Sequence, residues 1–432
     1  MDADHGTGMT IVEKILARAA GLPRVFAGDI LTIPVDRAVM LDTTFFFLRQ
    51  MRREILAVPH PDRIVIVFDH EVPAPSATSA AAQRMGREFA ARWGIRRFHD
   101  VGFDQGISHV LLSENCHALP GMFVVGSDSH SAAAGVMNCA ARAVTIIDLI
   151  AAVATGETWL QLAPTVRYDF IGRLGPGVAA MDVILHIADR FGSHAGSNIE
   201  FGGEGMAGLS IDARRTISTM CTELNCEFAT FEADDILIRH TESRTAEVFR
   251  PVQPDADADY LRREVIDLSA VRPMVARPDQ ILGNTGHAGT ENERIDQAFI
   301  GSCANGSLSD IAAAAAVLRG RRVADGVRLI VTPASQAIYR AALSEGHIQT
   351  LAEAGAIVTN ATCGACAGGH MGVLGPGDNC IATATRNFKG RMGDASARIW
   401  LASPATVAAS AVAGRIAEPS GLPECAHFGG RS

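Results

Sequence analysis

The sequence predicts an α/β protein in which helices cover sheets of parallel strands. Short apolar strands alternate with helical stretches over the first 160 residues, as in RIVIVFD at 63–69 and MFVVG at 122–126. The alternation returns near the end of the chain, from AFIGSC at 298–303 onward. Such alternation is typical of layered domains with parallel sheets. Because 432 residues are too many for one simple core, we expect two or three domains.

We predict three domains, at residues 1–165, 166–285 and 286–432. The first contains the two early strands and a helix with an apolar face over 140–155. The second begins with the strand VRYDFIGRL and continues through a helix, the loop GSHAGSNIEFGGEG and a helix that runs to Cys221. Its end, the polar stretch 267–296, is predicted to be a linker because it contains prolines and several glycines. The third is predicted to alternate strands at 298–303, 327–333 and 354–366 with helices at 308–320 and 336–346.

Charge and hydropathy exclude two classes of partner. The net charge is −9, whereas nucleic-acid binding needs a basic surface. No run of about 18 uncharged apolar residues is present, so we expect no membrane span. The first residues, MDADHGTGMT, lack the basic start and apolar run of a secretory signal.

Nine cysteines are present, an odd number that does not suit a disulfide framework. In a large chain without a visible secretory signal, they indicate a reducing compartment, and we expect a cytoplasmic protein. Clustered cysteines are then candidates for metal or redox chemistry, whereas scattered ones are usually small core residues. The nine are Cys116, Cys139, Cys221, Cys226, Cys303, Cys363, Cys366, Cys380 and Cys425.

The strongest motif joins Cys303 with Cys363 and Cys366. The last two form a C-x-x-C in TCGACAGG, with one glycine inside the motif and two after it, and Cys303 follows a predicted strand in IGSCANGS. A thioredoxin-like redox pair is disfavoured because no helix starts at the C-x-x-C. A structural zinc site usually needs a fourth protein ligand. Three thiolates suit an iron–sulfur cubane whose remaining iron is open and can polarise a bound hydroxyl and carboxylate.

Histidines and carboxylates form the second group of candidates. Dehydration of a hydroxy acid needs a proton for the departing hydroxyl, and a histidine held by a carboxylate is a suitable donor. Taken singly, each histidine is more often a hydrogen-bonded structural residue, but placement after predicted strands favours a functional role for Asp69–His70 and for Asp128–Ser129–His130. The candidates are Asp69, His70, His109, Asp128, Ser129, His130 and Glu200.

Arg386 and Arg391 form the third group, in the loop ATRNFKGRMG. Two arginines five residues apart can clamp a substrate carboxylate through paired hydrogen bonds. An exposed basic loop is the alternative interpretation of the same residues.

These motifs together resemble the aconitase superfamily, and in particular its dehydratase large subunits. The segments that carry the resemblance extend over most of the chain from about Asp69 to Ile416. They are GISHV, PGMFVVGSDSHS, VATGETW, NIEFGGEG, LSIDARRTISTM, AFIGSCANG, TCGACAGGHMGVLGPGDNC, TRNFKGRMG and IWLASPATVAASAVAGRI.

The resemblance implies three α/β/α domains around one [4Fe–4S] cluster per subunit, with Cys303, Cys363 and Cys366 as its ligands. It also implies that Arg386 and Arg391 bind substrate carboxylate and that Ser129 belongs to the same pocket. The implied acid–base pairs are Asp69–His70, Asp128–His109 and Glu200–His130.

The activity implied by the resemblance is reversible loss of water from a 2-hydroxy di- or tricarboxylic acid. The first expected substrate is 3-isopropylmalate, with homocitrate-type acids and alkylmalates such as dimethylmalate as alternatives. A separate small subunit is expected to supply the swivelling fourth domain and the base, since only the short tail EPSGLPECAHFGGRS follows the matching segments. A non-catalytic iron–sulfur protein and a zinc-binding structural protein remain alternatives of another class.

The chain departs from the family pattern at several positions beside the expected site. Ser131 and Ala304 replace threonines, Ala365 replaces the proline between two cysteines, and Thr385 replaces an asparagine. The early segment LDTTFFF places bulky Phe45–Phe47 in a region expected to border the pocket. Since the ligands are kept and the wall is changed, the pattern indicates a branch acting on a different hydroxy acid, or a member without activity.

Overall fold

A computed structural model of the chain describes residues 8–422. Four sheets and their covering helices make up this part, and no helix in it is long and apolar enough to cross a membrane. The strands are β1 Ile30–Pro34, β2 Arg37–Leu41, β3 Ile64–Val67, β4 Arg97–His99, β5 Phe123–Gly126, β6 Ala140–Ala143, β7 Glu157–Gln161, β8 Thr165–Ile171, β9 Asn198–Gly202, β10 Ala229–Phe231, β11 Arg262–Asp267, β12 Met274–Ala276, β13 Thr285–His287, β14 Gln297–Ile300, β15 Arg328–Val331, β16 Ile357–Val358, β17 Asn379–Ala382 and β18 Arg398–Ala402. The helices are α1 Ile11–Ala20, α2 Asp42–Met51, α3 Ala77–Trp93, α4 Ser108–Glu114, α5 Ile146–Thr155, α6 Ala180–Phe191, α7 Ile211–Met220, α8 Asp235–Glu242, α9 Leu308–Leu318, α10 Gln336–Ser344, α11 His347–Glu353 and α12 Pro404–Ala413.

The first sheet has the order β4-β3-β2-β5-β6, and all its strands are parallel. Strand β3 is the apolar run IVIV, and all four of its residues are buried because helices cover both faces of such a sheet. Beside this sheet, β1 and β7 form an antiparallel ribbon of two strands. In both ribbon strands exposed and buried residues alternate, so one face of the ribbon is open to solvent.

The second sheet has the order β10-β9-β8-β11 and is also parallel throughout. Its central face is aromatic: Phe201 on β9 stacks on Phe170 and Phe231 of the two neighbouring strands, with ring centroids 5.5 and 4.7 Å apart. Side chains of this sheet share one apolar core with the third sheet, for example Ile199 with Phe299. The second and third segments of the chain therefore pack as one unit.

The third sheet has the order β13-β12-β18-β17-β14-β15-β16. The five strands from β18 to β16 are parallel, whereas β12 runs antiparallel to both β13 and β18. Parallel strands place their carboxyl ends at one edge, and the loops at that edge are where sites of α/β proteins form.

The α/β prediction is confirmed, but three local predictions were wrong. The predicted linker 267–296 contains β12 and β13, which join the third sheet. The predicted loop after α6 contains β9, whose five residues are all buried. The predicted helix 140–155 begins as strand β6, and α5 starts only at Ile146. The division into three domains at 165 and 285 stays a prediction, although β12 already belongs to the third sheet.

Candidate active site

A cavity of about 90 Å³ lies where loops from the first and third sheets meet. Asp128 and Ser129 follow β5, and His70 follows β3. His130 follows the same strand as Asp128, and Ile107 and His109 lie at the start of α4. The other lining residues come from loops of the third sheet. The lining residues are His70, Ile107, His109, Asp128, Ser129, His130, Cys303, Cys363, Cys366, Ala367, Thr385, Arg386 and Arg391.

Tight turns bring the three cysteines to this cavity. After β14 the chain turns through Gly301 and Ser302, with φ values of 153° and 76°, directly before Cys303. At Gly301 a Cβ would meet the Thr332 carbonyl oxygen at 2.8 Å, so a side chain cannot be placed there without a shift. Gly364, inside the C-x-x-C, also has a positive φ of 60°. The glycines around the cysteines thus allow the backbone to wrap closely around the cavity.

The surroundings of the cysteine thiols shift their pKa values in different directions. A hydrogen bond from the Cys363 thiol holds the pKa of Cys366 well below its usual range, against the opposing effect of burial, and Arg391 acts in the same direction. Arg391 Nη2 lies 3.6 Å from Cys366 Sγ. Burial raises the pKa of Cys303. Since the thiolate is the ligating form, the guanidinium of Arg391 beside Cys366 Sγ favours the form of this thiol that binds a cation.

Asp128 lies at the centre of a set of three histidines. Its Oδ1 is 2.8 Å from His109 Nε2 and 3.4 Å from His130 Nδ1, and its Oδ2 is 3.2 Å from His70 Nε2. Burial alone would raise the pKa of Asp128, but these histidines hold it well below 3.8. Asp128 is therefore a carboxylate at neutral pH and orients all three rings.

His70 is held on both ring nitrogens. Its Nδ1 lies 2.7 Å from Asp69 Oδ1, while its Nε2 faces Asp128. Burial opposes the charged ring, yet Asp69 and Asp128 raise the pKa of His70 well above 6.5. His70 therefore keeps a proton at neutral pH, as a proton donor requires.

Asp42, at the start of α2, supports the loop that carries His70. Its carboxylate accepts from the backbone amides of His70 at 3.4 Å and Glu71 at 2.8 Å. The Asp42 side chain is only 3% exposed. The neighbouring Phe45–Phe47 were expected to border the pocket, but Phe45 is fully buried in the apolar core and Phe47 is exposed. Asp42 is the residue of this segment that reaches the site.

The predicted pair Glu200–His130 was wrong, because His130 is held by Glu223. His130 Nε2 lies 2.8 Å from Glu223 Oε1, and Arg386 Nε donates to the same oxygen at 2.7 Å. Burial alone would raise the pKa of Glu223, but His130 and Arg386 lower it below 4.5. Glu223 therefore joins a histidine and an arginine of the cavity.

Glu200 has a structural position instead. It is fully buried on β9, where Oε1 accepts from Arg167 at 2.8 Å and Oε2 accepts from the backbone amide of Ile11 at 2.8 Å. The Tyr260 hydroxyl also donates to Glu200. These contacts join α1 to the second sheet. The partner of His130 was predicted wrongly because Glu200 and Glu223 are both acidic residues of the second segment, and only the structure shows which one reaches His130.

We expect Glu200→Gln to weaken folding by about 3 kcal/mol, because it leaves the buried Arg167 without one of its carboxylates. Urea unfolding of the apoprotein would measure this change, and turnover of the intact enzyme at a permissive temperature should stay within twofold. Glu223→Gln is the matched control and should lower turnover with little change in unfolding. A large loss of turnover in Glu200→Gln with unchanged stability would restore Glu200 to the acid–base group.

Two polar atoms at the cavity have no hydrogen-bond partner within residues 8–422. They are His109 Nδ1 and Arg391 Nε, and both are buried. A buried polar group without a partner costs about 1–3 kcal/mol, so such atoms indicate an additional bound group. Together with three cysteines on one wall, they make the donor set fit an iron–sulfur cluster and an anionic ligand.

The four departures from the family pattern, Ser131, Ala304, Ala365 and Thr385, are all buried. Ser131 Oγ donates to the Asp128 carbonyl oxygen at 2.7 Å. Thr385 Oγ1 lies 3.9 Å from Cys366 Sγ, so its hydroxyl directly faces a cysteine of the cavity. Ala304 and Ala365 are fully buried. Thr385 is thus the departure with a direct contact to the expected cluster ligands.

Most of the chain matches one protein family. The sequence pattern of the aconitase family (aconitate hydratase) matches residues 13–414. The chain belongs to the aconitase family. Asp42 and Glu223 belong to this aconitase-family site but were not predicted from the sequence.

Relatives of this family member are similar over almost their full length. The 3-isopropylmalate dehydratase large subunit of Mycolicibacterium smegmatis is 49% identical over 412 residues, 95% of this chain and 97% of that protein. A probable 3-isopropylmalate dehydratase large subunit of Methanothermobacter thermautotrophicus is 40% identical over 418 residues, 96% of this chain and 99% of that protein. From the same organism, a probable methanogen homoaconitase large subunit is 40% identical over 419 residues, 95% and 97% of the two chains.

Proposed function

We propose that this chain is the large subunit of a hydro-lyase that removes water from a 2-hydroxy diacid, with 3-isopropylmalate as its substrate. The observation that carries the proposal is the convergence of three cysteines, three histidines and two arginines on one cavity. Thiols to hold a Lewis acid, an acid–base set and cations for carboxylates are the three components that this reaction needs.

Cys303, Cys363 and Cys366 would hold a [4Fe–4S] cluster. When bound, the cluster supplies a Lewis acid that polarises the substrate hydroxyl. Arg391, with its Nη2 3.6 Å from Cys366 Sγ, favours the thiolate form there and balances part of the added negative charge.

The other residues of the cavity would bind the substrate and move its protons. Arg386 and Arg391 are the cations available for substrate carboxylate, and Arg391 Nε is an unused donor there. His70 would protonate the departing hydroxyl from Nε2, which requires the 3.2 Å contact with Asp128 to open when substrate enters. Asp128 would then keep the rings of His109 and His130 in position.

The base that removes the carbon-bound proton would come from a small subunit. The four carboxylates in and beside the cavity, which are Asp42, Asp69, Asp128 and Glu223, are all held by histidine, arginine or backbone donors. Because these donors already engage each carboxylate, none of the four is free to take a proton from carbon. The relatives' names as large subunits support a second chain.

We choose 3-isopropylmalate because the relative at 49% identity is a 3-isopropylmalate dehydratase large subunit. A homoaconitase substrate is the second candidate, because a probable homoaconitase large subunit is 40% identical. We also propose a cytoplasmic location, since the eight cysteines within residues 8–422 are free thiols. Cys425 lies outside the described residues.

Anaerobic reconstitution with iron and sulfide, followed by mixing with the small subunit, tests this function. We expect about four irons per chain, a three-iron EPR signal after mild oxidation, and turnover of 3-isopropylmalate at about 1–1,000 per second. Ultraviolet absorbance of the unsaturated diacid measures the reaction, with homocitrate and dimethylmalate as comparison substrates.

The outcomes separate the competing functions. A bound cluster without turnover of any of the three acids would indicate a non-catalytic iron–sulfur protein. Zinc, or no metal after reconstitution, would remove the Lewis acid and contradict the proposed reaction. Faster turnover of homocitrate than of 3-isopropylmalate would support the proposed mechanism but assign homocitrate as the substrate.

A further inference from the structure

A second cleft, of about 640 Å³, lies between helices α4, α7, α8 and α10. It shares no lining residue with the catalytic cavity. Both are nevertheless lined by α4, because His109 of this helix faces the catalytic cavity whereas Val110 and Glu114 line the cleft. We call it the α4 cleft.

Arg215 of α7 lines the α4 cleft although its side chain is only 2% exposed. Its Nη1 donates to Asp212 Oδ1 at 2.7 Å and to Ser113 Oγ at 3.3 Å. Its Nε is a buried donor without a partner within residues 8–422. Because a buried donor without an acceptor is costly, this atom indicates that a further group binds beside Arg215.

Arg244, in the turn after α8, is a second cation of the α4 cleft. Its Nη1 donates to the His240 carbonyl oxygen at 3.3 Å and to Ser243 Oγ at 2.9 Å. Both acceptors are uncharged, so the described part of the chain leaves the charge of this guanidinium without a carboxylate at hydrogen-bond distance. Two guanidiniums lining one cleft favour a carboxylate ligand.

Glu114 adds a group of the opposite kind to the same cleft. Its Oε1 accepts from Ser335 Oγ at 3.2 Å, whereas Oε2 is buried and has no partner among the described residues. Burial raises the pKa of Glu114 above 4.5, although Arg215 and Arg244 act in the opposite direction. An ammonium group would supply the donor that Oε2 lacks and would favour the charged carboxylate.

The rest of the α4 cleft is largely apolar. Five helices contribute to this apolar wall, whose residues are Val110, Ile211, Ile236, Leu308, Ile338 and Ala341. A wall of this kind with a few polar groups is typical of small-molecule sites. An apolar side chain of the ligand would be removed from water against it.

We propose that the α4 cleft binds a free amino acid with an apolar side chain. Arg215 and Arg244 donate to its carboxylate, and Glu114 accepts from its ammonium. The apolar wall contacts its side chain. A ligand with both charges provides partners for groups of both signs, whereas a simple carboxylate would lie beside Glu114 without offering it a donor.

The α4 cleft is joined to the catalytic cavity by two of its helices. Helix α4 carries His109, whose Nε2 lies 2.8 Å from Asp128 Oδ1. On α7, Thr216 Oγ1 donates to the carbonyl oxygen of Ala304, which follows Cys303. A bound amino acid should therefore slow hydrogen exchange in residues 108–114, the helix that carries His109, and leave exchange in β7 unchanged.

Calorimetry with the reconstituted full chain tests the binding, with valine, leucine and phenylalanine as probes. We expect a Kd below about 1 mM for the best of the three. Analogues of that probe without the ammonium or without the carboxylate should bind at least ~10-fold more weakly. For valine these analogues are isovalerate and isobutylamine.

Two variants assign the binding to the α4 cleft. Arg244→Gln and Glu114→Gln should each raise Kd at least ~10-fold. Because Arg244 is exposed, its variant should keep the thermal midpoint of the unchanged protein. Glu345→Gln is the matched control, since Glu345 is 52% exposed, pairs with His347 and does not line the cleft. Its Kd should stay within twofold.

The outcomes separate the amino-acid site from its alternatives. No binding of the three probes at about 10 mM would overturn the proposal. Equal affinity for valine and isovalerate would show a site for simple carboxylates and refute the role of Glu114. An unchanged Kd in both variants would place the ligand elsewhere on the chain. None of these readouts uses turnover, so failure of the proposed dehydration would leave them interpretable.

Discussion

Cys363→Ser should leave the reconstituted chain without most of its iron and abolish measurable dehydration. Cys363 is part of the only C-x-x-C in the sequence and donates its thiol hydrogen bond to Cys366 in the same cavity. A hydroxyl is a poor ligand for a cluster that thiolates hold, so the site loses one of three ligands. We expect iron to fall from about four per chain to less than about one, and turnover to fall at least ~10³-fold.

Cys226→Ser is the control for this variant, because Cys226 is a free and partly buried cysteine that does not line the cavity. It should keep its iron and its turnover. Retention of a full cluster by Cys363→Ser would show that the thiols of this cavity are not the ligands. The iron count is independent of the small subunit, so it is interpretable even if the complex is weak.

His70→Ala should keep the cluster and lower kcat by about 10²–10⁴-fold, the range typical for loss of a general acid. Asp69 and Asp128 raise the pKa of His70, so the wild-type ring holds a proton that alanine cannot supply. Turnover of the assembled enzyme at saturating substrate measures the effect. KM should change less than kcat, because Arg386 and Arg391 remain to bind carboxylate.

His347→Ala provides the comparison, since His347 also contacts a carboxylate, Glu345 at 3.1 Å, but lies outside the cavity. Its turnover should be unchanged. An unaltered kcat in His70→Ala would assign proton delivery to another group, for which His109 is the first choice because its Nδ1 is an unused buried atom.

Much of the fold follows from local patterns in the sequence. Strands such as β3 and β14 are short apolar runs ending in turn residues, and the structure contains them close to the predicted bounds. Strand β9 was missed because glycines and serines surround it, and β12 because a three-residue strand leaves too short a pattern. Both segments form strands because they pair with neighbouring strands, and this pairing cannot be seen in the local sequence.

The candidate site was partly predictable for the same reason. Residues placed directly after strands, such as His70, Asp128 and Cys303, could be expected at one edge of the sheets. Glu223 could not, because it lies in a 3₁₀ turn after α7 and meets His130 only through packing between distant segments. Glu200 was preferred from its motif alone, and only the contacts with Arg167 and Ile11 show that it supports the fold.

Because Asp69 contacts the C-x-x-C loop, the site can form only late in protein synthesis. The Asp69 carbonyl oxygen accepts from the Cys363 amide at 2.9 Å and from Thr362 Oγ1 at 2.9 Å, and these partners are separated by more than 290 residues. A growing chain folds from its amino terminus, so the acid–base half of the site emerges from the ribosome long before the C-x-x-C does. Insertion of the proposed cluster would therefore have to follow translation of the C-x-x-C.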